Sequence, residues 1–499
     1  KEGKMAIKVK TYGNYIGGRW HEPSGKLFEN IDPATGEVLG YYPLSTGEEA
    51  RLAVSAARQA FDTWRKVTAP KRGEILFRAA ELMLQRKEEL ARCLTMEMGK
   101  VLKEARGDVQ EGIDMTYYMA AEGRRLFGEV TPSELPNKFA LAQRVPVGVI
   151  VAITPWNFPF AIPTWKLMPA LVAGNTVVFK PSRYTPESAY HLVRIMEEAG
   201  LPPGVLNLVY GEPGEVGTAL VEDPGTTLVS FTGSSGAGRD IAQRAAHLGK
   251  RFHLEMGGKN AIIVLDDADL DLALQGIVWS AFGSSGQRCT AASRLIVQRG
   301  VLSEVTEKLV ALAKQLRLGP GISPDADVGP VINREQLLKI EGYVRLGVEE
   351  GASLLAGGRV ATEGELKRGF FFEPTVFGNV SPRMRIAQEE IFGPVTVIIP
   401  ADSLEEAVAI NNDTPYGLVT SLYTRDVNRA FQALEDISTG IVYFNAGTIG
   451  AEVHLPFGGT RGTGSGHREA GQAALEVYTE WKTVYLDYSG RLQKAQGID

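Results

Sequence analysis

Between Val147 and Lys180 the chain reads "VGVIVAITPWNFPFAIPTWKLMPALVAGNTVVFK", and its apolar positions divide by period into a strand, a Pro-punctuated loop, a helix stopped at Gly174 and Asn175, and a second strand "TVVFK". The pattern then repeats. A helix is predicted from Pro186 to Ala199, then a strand "VLNLVYG", a helix from Gly214 to Val221, a strand "TTLVSFTG", a helix from Gly236 to His247 and a strand "FHLEM". Short apolar strands alternating with amphipathic helices indicate a parallel sheet covered on both faces, hence an α/β fold. Upstream, Glu48 to Trp64, Lys71 to Glu88 and Glu89 to Phe127 carry a helical period. Downstream a second alternation starts at "AIIVLDD" and runs through "SRLIVQRG", a helix Leu302 to Leu316, "TVFGNV", "PVTVIIPA", a helix Leu404 to Asn411 and "IVYFN", which predicts a second α/β unit. The segments "KFALAQRVPVG" and "EVYTEWKTVYLDYSG" alternate like strands, and are expected to pair as an outlying sheet whose edge a partner subunit covers.

Composition narrows the picture. A chain of 499 residues exceeds one ordinary core, so two or three domains are expected. The net charge of -6 arises from 53 basic and 59 acidic residues without a basic block, which argues against a nucleic-acid partner. The N-terminus has no apolar run fit for a signal peptide, and two cysteines cannot build a disulfide framework, so a cytoplasmic setting is expected. Pro155, Pro159, Pro163, Pro169, Asn157 and Lys166 interrupt the most apolar stretch, and no membrane association is predicted.

Of the two cysteines, Cys289 stands in "GQRCTAASR". Gly283, Ser284, Ser285 and Gly286 give a ligand close approach, and Arg288 with a helix N-terminus is expected to favour the thiolate. Cys93 in "ELARCLTMEMGK" sits at an apolar helical position and reads as packing. The six histidines form no pairing motif, so a carboxylate is the better base: Glu255 closes the strand before Gly257 and Gly258, where parallel strands present ligands. The fingerprint G-x-G-x-x-G is absent, but "TGSSGAGRD" runs from a strand into a helix whose N-terminus can receive a phosphate. No Cys or His cluster has metal spacing, and no metal is expected.

Together, "TPWNFPF", "FTGSSGAGR", "LEMGGKN", "GQRCTAASR", "EEIFGPV" and "PFGGTRGTGSG" resemble the aldehyde dehydrogenase superfamily in order and spacing, over nearly the whole chain. The resemblance implies a modified Rossmann cofactor domain (1–128 and 145–256), an α/β catalytic domain (257–457) and a small oligomerisation sheet (129–144 and 475–499), in homodimers or homotetramers. It implies Cys289 as nucleophile, Asn157 as oxyanion donor, Glu255 as base for thioester hydrolysis and Lys166 in the active-site network. NAD or NADP would be held by Thr154, Trp156, Lys180, Ser182, Arg183, Gly214, Gly233, Ser234, Met256, Glu390 and Phe392. Relatives that prefer NAD often carry a glutamate three residues after the lysine equivalent to Lys180; this chain has Arg183 there, so NADP is expected to serve at least as well as NAD. Glu111, Arg288, Thr290 and Phe457 fall at the substrate side, and the whole chain resembles bacterial semialdehyde dehydrogenases of the 2-oxoglutarate and aminoadipate type. A carboxylated aldehyde is expected. The alternatives are a broad-specificity aldehyde dehydrogenase in which Arg288 supports the loop, a thiol acyltransferase or esterase, and a non-catalytic crystallin-like protein.

Overall fold

The computed structural model describes residues 9–496. Its first large sheet holds seven strands in the spatial order Arg251–Glu255, Leu228–Thr232, Val149–Ile153, Thr176–Lys180, Leu206–Leu208, Asn14–Ile16 and Arg19–His21. The first five are mutually parallel, as the apolar runs predict, and the N-terminal hairpin adds antiparallel to the edge. Val149 to Ala152 and Val177 to Phe179 are buried, because helices cover both faces: Gly47–Trp64 on one, Ala161–Val172 on the other.

The long helix expected over Glu89 to Phe127 is two, Lys87–Met98 and Leu102–Glu122. Gly99 takes φ 96°, a left-handed turn that ends the first helix, and a Cβ there would stand 2.7 Å from Pro330. The short helix expected from Gly214 to Val221 is a wide π-type turn, Pro213–Gly217, followed by Thr218–Glu222.

The second sheet also has seven strands, ordered Ser353–Ala356, Thr375–Gly378, Val395–Ala401, Ala292–Gln298, Asn260–Val264, Val419–Tyr423 and Ile441–Phe444. All neighbours are parallel except the first pair. Only the four residues from Met256 to Lys259 separate the last residue of Arg251–Glu255 from the first of Asn260–Val264, so the carboxyl end of one sheet faces the other across a short junction. The outlying sheet forms as expected: Thr479–Asp487 pairs antiparallel with Lys138–Pro146 over nine residues, and Glu129–Pro132 adds beyond it. Trp481 and Tyr485 are exposed on one of its faces and Leu486, Phe139 and Val130 on the other. Residues 1–8 and 497–499 of the expected domain spans lie outside the described residues. Among the described residues no helix is long and apolar enough to cross a membrane.

Candidate active site

A cavity of about 880 Å³ opens between the two sheets. The first sheet supplies its strand ends and the loops after them: Thr154, Trp156 and Asn157, then Lys180, Ser182 and Arg183, then Gly233 and Ser234, then Met256. The second supplies Cys289, Glu390 and Phe392, and Gly214 closes the rim. All eleven residues expected to hold the cofactor therefore line one space, with Asn157 and Cys289 in its wall.

Cys289 lies in a turn that precedes the strand Ala292–Gln298. The approach to it is strained: Ser284, Ser285 and Gly286 have φ of 52°, 57° and 68°, and a Cβ at Gly286 would lie 2.0 Å from the Gly393 carbonyl. Glu104, from the helix Leu102–Glu122, holds that turn by accepting from the Ser284 N–H at 3.0 Å. Asn260 fixes the far side, donating Nδ2 to the carbonyls of Cys289 (2.7 Å) and Ala291 (2.9 Å).

The expected cationic activation of Cys289 is not what the structure contains. Arg288 turns away to bond Glu104 at 3.4 Å and Ser284 Oγ at 3.2 Å, with its guanidinium 5.2 Å from the Phe158 ring centre. No helix begins at Cys289. Burial first, then the charges of Glu255, Glu390 and Glu111, push the thiol up to about 12. The neighbour in sequence is a cation, but the neighbours in space are carboxylates.

Glu255 ends its strand almost fully buried, with Oε1 making no hydrogen bond. Burial and the charge of Glu469 raise its carboxyl well above the usual range, while Lys166 and Arg468 oppose the rise. Lys166 does not point into the cavity. It pairs with buried Glu469 and donates to Ser230 Oγ at 3.2 Å, and Ser230 meets the Tyr478 hydroxyl at 2.9 Å. His253 Nε2 lies 3.4 Å from Glu469, its imidazole kept neutral by burial. Glu469 itself is shared between the network and a loop: its backbone exchanges two 2.7 Å hydrogen bonds with Phe457, whose ring packs edge-on against Trp165 at 5.0 Å.

On the cofactor side, Ser234 caps the helix Ser235–His247, leaving that helix's first N–H groups at the cavity wall. Gly233 is required to be bare, since a Cβ would come 2.5 Å from the Phe231 ring. Lys180 is buried, its amine lowered to about 8 by desolvation, with only a 3.5 Å contact to the Pro181 carbonyl. Glu390 accepts from the Gly258 N–H at 3.0 Å, and Gly257 makes room for it, because a Cβ there would sit 2.4 Å from the carboxylate. Phe392 is held at φ 60° by Gln336, which donates to its carbonyl at 2.7 Å, and its ring meets Trp156 edge-on at 5.5 Å. A bare phosphate turn, a buried lysine and a carboxylate on a fixed loop fit a dinucleotide.

Residues 20–484 match the model of the aldehyde dehydrogenase family. The chain belongs to the aldehyde dehydrogenase family. It is similar to the alpha-ketoglutaric semialdehyde dehydrogenase of Bacillus subtilis, 44% identical over 97% of this chain and 99% of that one. The alpha-ketoglutarate semialdehyde dehydrogenase of Haloferax volcanii is 43% identical over 95% and 99%. A crystal structure of the betaine aldehyde dehydrogenase of Staphylococcus aureus in complex with NAD+ superposes with a TM-score of 0.94 at 35% identity, covering 96% of this chain and 95% of that one. This aldehyde dehydrogenase is thus an oxidoreductase acting on aldehydes. The acyltransferase, esterase and crystallin-like alternatives fall away.

Among the residues expected at the substrate side, Glu111 lies on the helix Leu102–Glu122 with Asp108, Lys100 and Arg288 within reach of its charge. Thr290 accepts through its carbonyl from Thr448 Oγ1 at 2.6 Å. Sequence reading missed Glu104, Asn260, Gln336 and Glu469. Asn260 stood inside a quoted motif, whereas Glu469 carries no local signal because its partners are 216 and 303 residues away in sequence.

The Lys166–Glu469 pair is nearly solvent-free on both sides. Lys166→Met leaves that carboxylate buried without its counter-ion, a loss on the order of 3–5 kcal/mol. The midpoint of thermal unfolding is expected to fall steeply in Lys166→Met and to recover in part in Lys166→Met/Glu469→Gln. Equal midpoints in native and single-variant protein would contradict the pairing.

Proposed function

We propose that the site oxidises a short aldehyde carrying a carboxylate to the acid through a thioester on Cys289; the carrying observation is the convergence of Cys289, Asn157 and the eleven cofactor residues on one cavity. The Cys289 thiol gives its proton to solvent, its Sγ adds to the aldehyde carbon, and the carbonyl oxygen becomes an oxyanion, received by the Asn157 amide and the Cys289 N–H. Asn157 is buried in the cavity wall, where its amide can serve as that donor. Glu390, Phe392, Gly233, Ser234 and Lys180 would hold NAD(P)+, which would supply the hydride acceptor. Loss of hydride from the former carbonyl carbon leaves the thioester, and Glu255 takes a proton from the water that cleaves it. A base with a raised pKa in a buried pocket suits that step, and the Lys166–Glu469 pair beside it tunes how readily it ionises. Glu255→Gln is expected to keep the first turnover of reduced cofactor while steady turnover falls about 10²-fold or more. Loss of the burst with normal cofactor binding would remove Glu255 from that role.

A carboxylated substrate is supported by the names of the B. subtilis and H. volcanii relatives and by the ring of charge around Glu111. Burial and Asp108 raise Glu111 to about 8, against Arg288 and Lys100, so near neutral pH it is a protonated donor. Arg288 keeps Nη1 free of hydrogen bonds among the described residues. Together they can receive a carboxylate below pH 8, whereas ionised Glu111 repels it above. KM for 2-oxoglutaric semialdehyde is expected to rise as pH passes about 8, with the rise abolished in Glu111→Gln and absent for hexanal. Succinic and aminoadipic semialdehydes complete the panel. A flat specificity across it would favour the broad reading, in which Arg288 serves only the loop that Glu104 holds.

For the cofactor we infer that NADP is used at least as well as NAD. Arg183 lines the adenosine end of the cavity with its guanidinium half-exposed; one N–H binds Glu212, and other donors remain for a 2′-phosphate. Glu212 is the competing acceptor. Arg183→Glu is expected to raise KM for NADP about tenfold and spare NAD, a loss of about 1.4 kcal/mol. Equal effects on both cofactors would reduce Arg183 to a support for the loop.

We also infer a homodimer or homotetramer built through the outlying sheet, which exposes apolar side chains on both faces, Trp481 and Tyr485 on one and Leu486 and Phe139 on the other. Deleting residues 480–499 is expected to give dissociated or aggregated protein by light scattering. An unchanged oligomer would refute the placement.

A further inference from the structure

We propose that Cys93, Glu187 and His191 form a binding site for a zinc-class divalent ion, separate from the cavity that holds Cys289. The sequence gives no hint of it, because the ligands come from two helices about ninety residues apart. Cys93 stands on Lys87–Met98, and Glu187 and His191 stand one turn apart on Pro186–Glu198. One thiol sulfur, one carboxylate oxygen and one imidazole nitrogen lie within 4.8 Å of one another. Ligand bonds of roughly 2.0–2.3 Å around a tetrahedral ion place donors roughly 3.3–3.8 Å apart and leave the fourth position to water; His191 Nε2 already stands 3.9 Å from Glu187 Oε1, and the cluster has to draw in by about 1 Å at most elsewhere. All three residues are partly accessible, so an ion has a way in.

The two helices are locked together at this point by a neighbouring group. Glu97, one turn beyond Cys93, accepts from the backbone N–H groups of Glu187 (2.9 Å) and Ser188 (2.8 Å) and from Asn30 Nδ2 (3.0 Å). The spacing between the sulfur and the Glu187–His191 pair is therefore set before any ion arrives. Tyr12 donates its hydroxyl to Glu187 Oε1 at 2.7 Å, which orients the carboxylate and leaves Oε2 without a hydrogen bond among the described residues. A ligating carboxylate steadied by an outer donor is the arrangement metal sites use. Nearby Lys10 is engaged over the rings of Tyr12 and Tyr190, 4.5 and 4.8 Å from their centres. Soft sulfur with imidazole and one carboxylate selects zinc or cobalt over magnesium or calcium. On binding, the Cys93 thiol releases its proton to solvent, its sulfur bonds the ion, and the ion sheds water ligands. The ion then clamps Lys87–Met98 to the helix that follows directly on the loop of Ser182 and Arg183 at the cofactor cavity.

The test uses the full chain carrying Cys289→Ala, reduced and stripped of metal, in which Cys93 is the remaining thiol of the two. Titration with cobalt(II) is expected to give a thiolate-to-cobalt charge-transfer band that saturates at one ion per chain. The band should vanish in Cys289→Ala/Cys93→Ser, and His191→Gln should raise the half-saturating concentration at least about tenfold. Cys289→Ser gives the same single-thiol readout in a second background. Absence of the band in the single-thiol chain, or a midpoint unmoved by His191→Gln, would overturn the site.

Discussion

Everything in the site depends on ionisable groups being taken out of water at the junction of two sheets. Met256 to Lys259 joins the carboxyl end of the first sheet to the start of the second, and the walls around it bury Glu255 and leave Glu390 and Cys289 only partly exposed. Desolvation is the largest influence on each, and it raises all three. Both shifts favour the protonated forms of the Cys289 thiol and the Glu255 carboxyl.

Rigid backbone keeps these groups in place. The left-handed residues Ser284, Ser285 and Phe392 are each held by a bond from another part of the fold: Glu104 accepts from the Ser284 N–H, Gly329 accepts from Ser285 Oγ at 2.6 Å, and Gln336 donates to the Phe392 carbonyl. Such conformations persist only where surrounding structure over-determines them. Two of these contacts come from helices far apart in sequence, Leu102–Glu122 and Arg334–Glu349.

The period of the apolar positions was enough to place both parallel sheets, since a strand buried on two faces is legible as a short apolar run. Boundaries suffered where one residue decided them, as Gly99 did by turning left-handed in the middle of a helical period. In the site, Cys289, Asn157 and Glu255 were visible because their motifs are local. Their electrostatics were not, because Arg288 precedes Cys289 in sequence but is drawn off by Glu104, 184 residues away. Glu469 and the Cys93 cluster escaped for the same reason: what makes them matter is a partner supplied by folding.

The central claim is that burial and carboxylates, not a neighbouring cation, govern Cys289 in the free enzyme. It is tested by the pH dependence of alkylation of Cys289 by iodoacetamide in cofactor-free protein, followed on the Cys289 peptide by mass spectrometry with the Cys93 peptide as internal comparison. With the thiol pushed up to about 12, the rate should still be climbing with pH well beyond the ordinary thiol value of about 8.5. A rate that levels off below about 8.5 would mean a resting thiolate and would contradict the account.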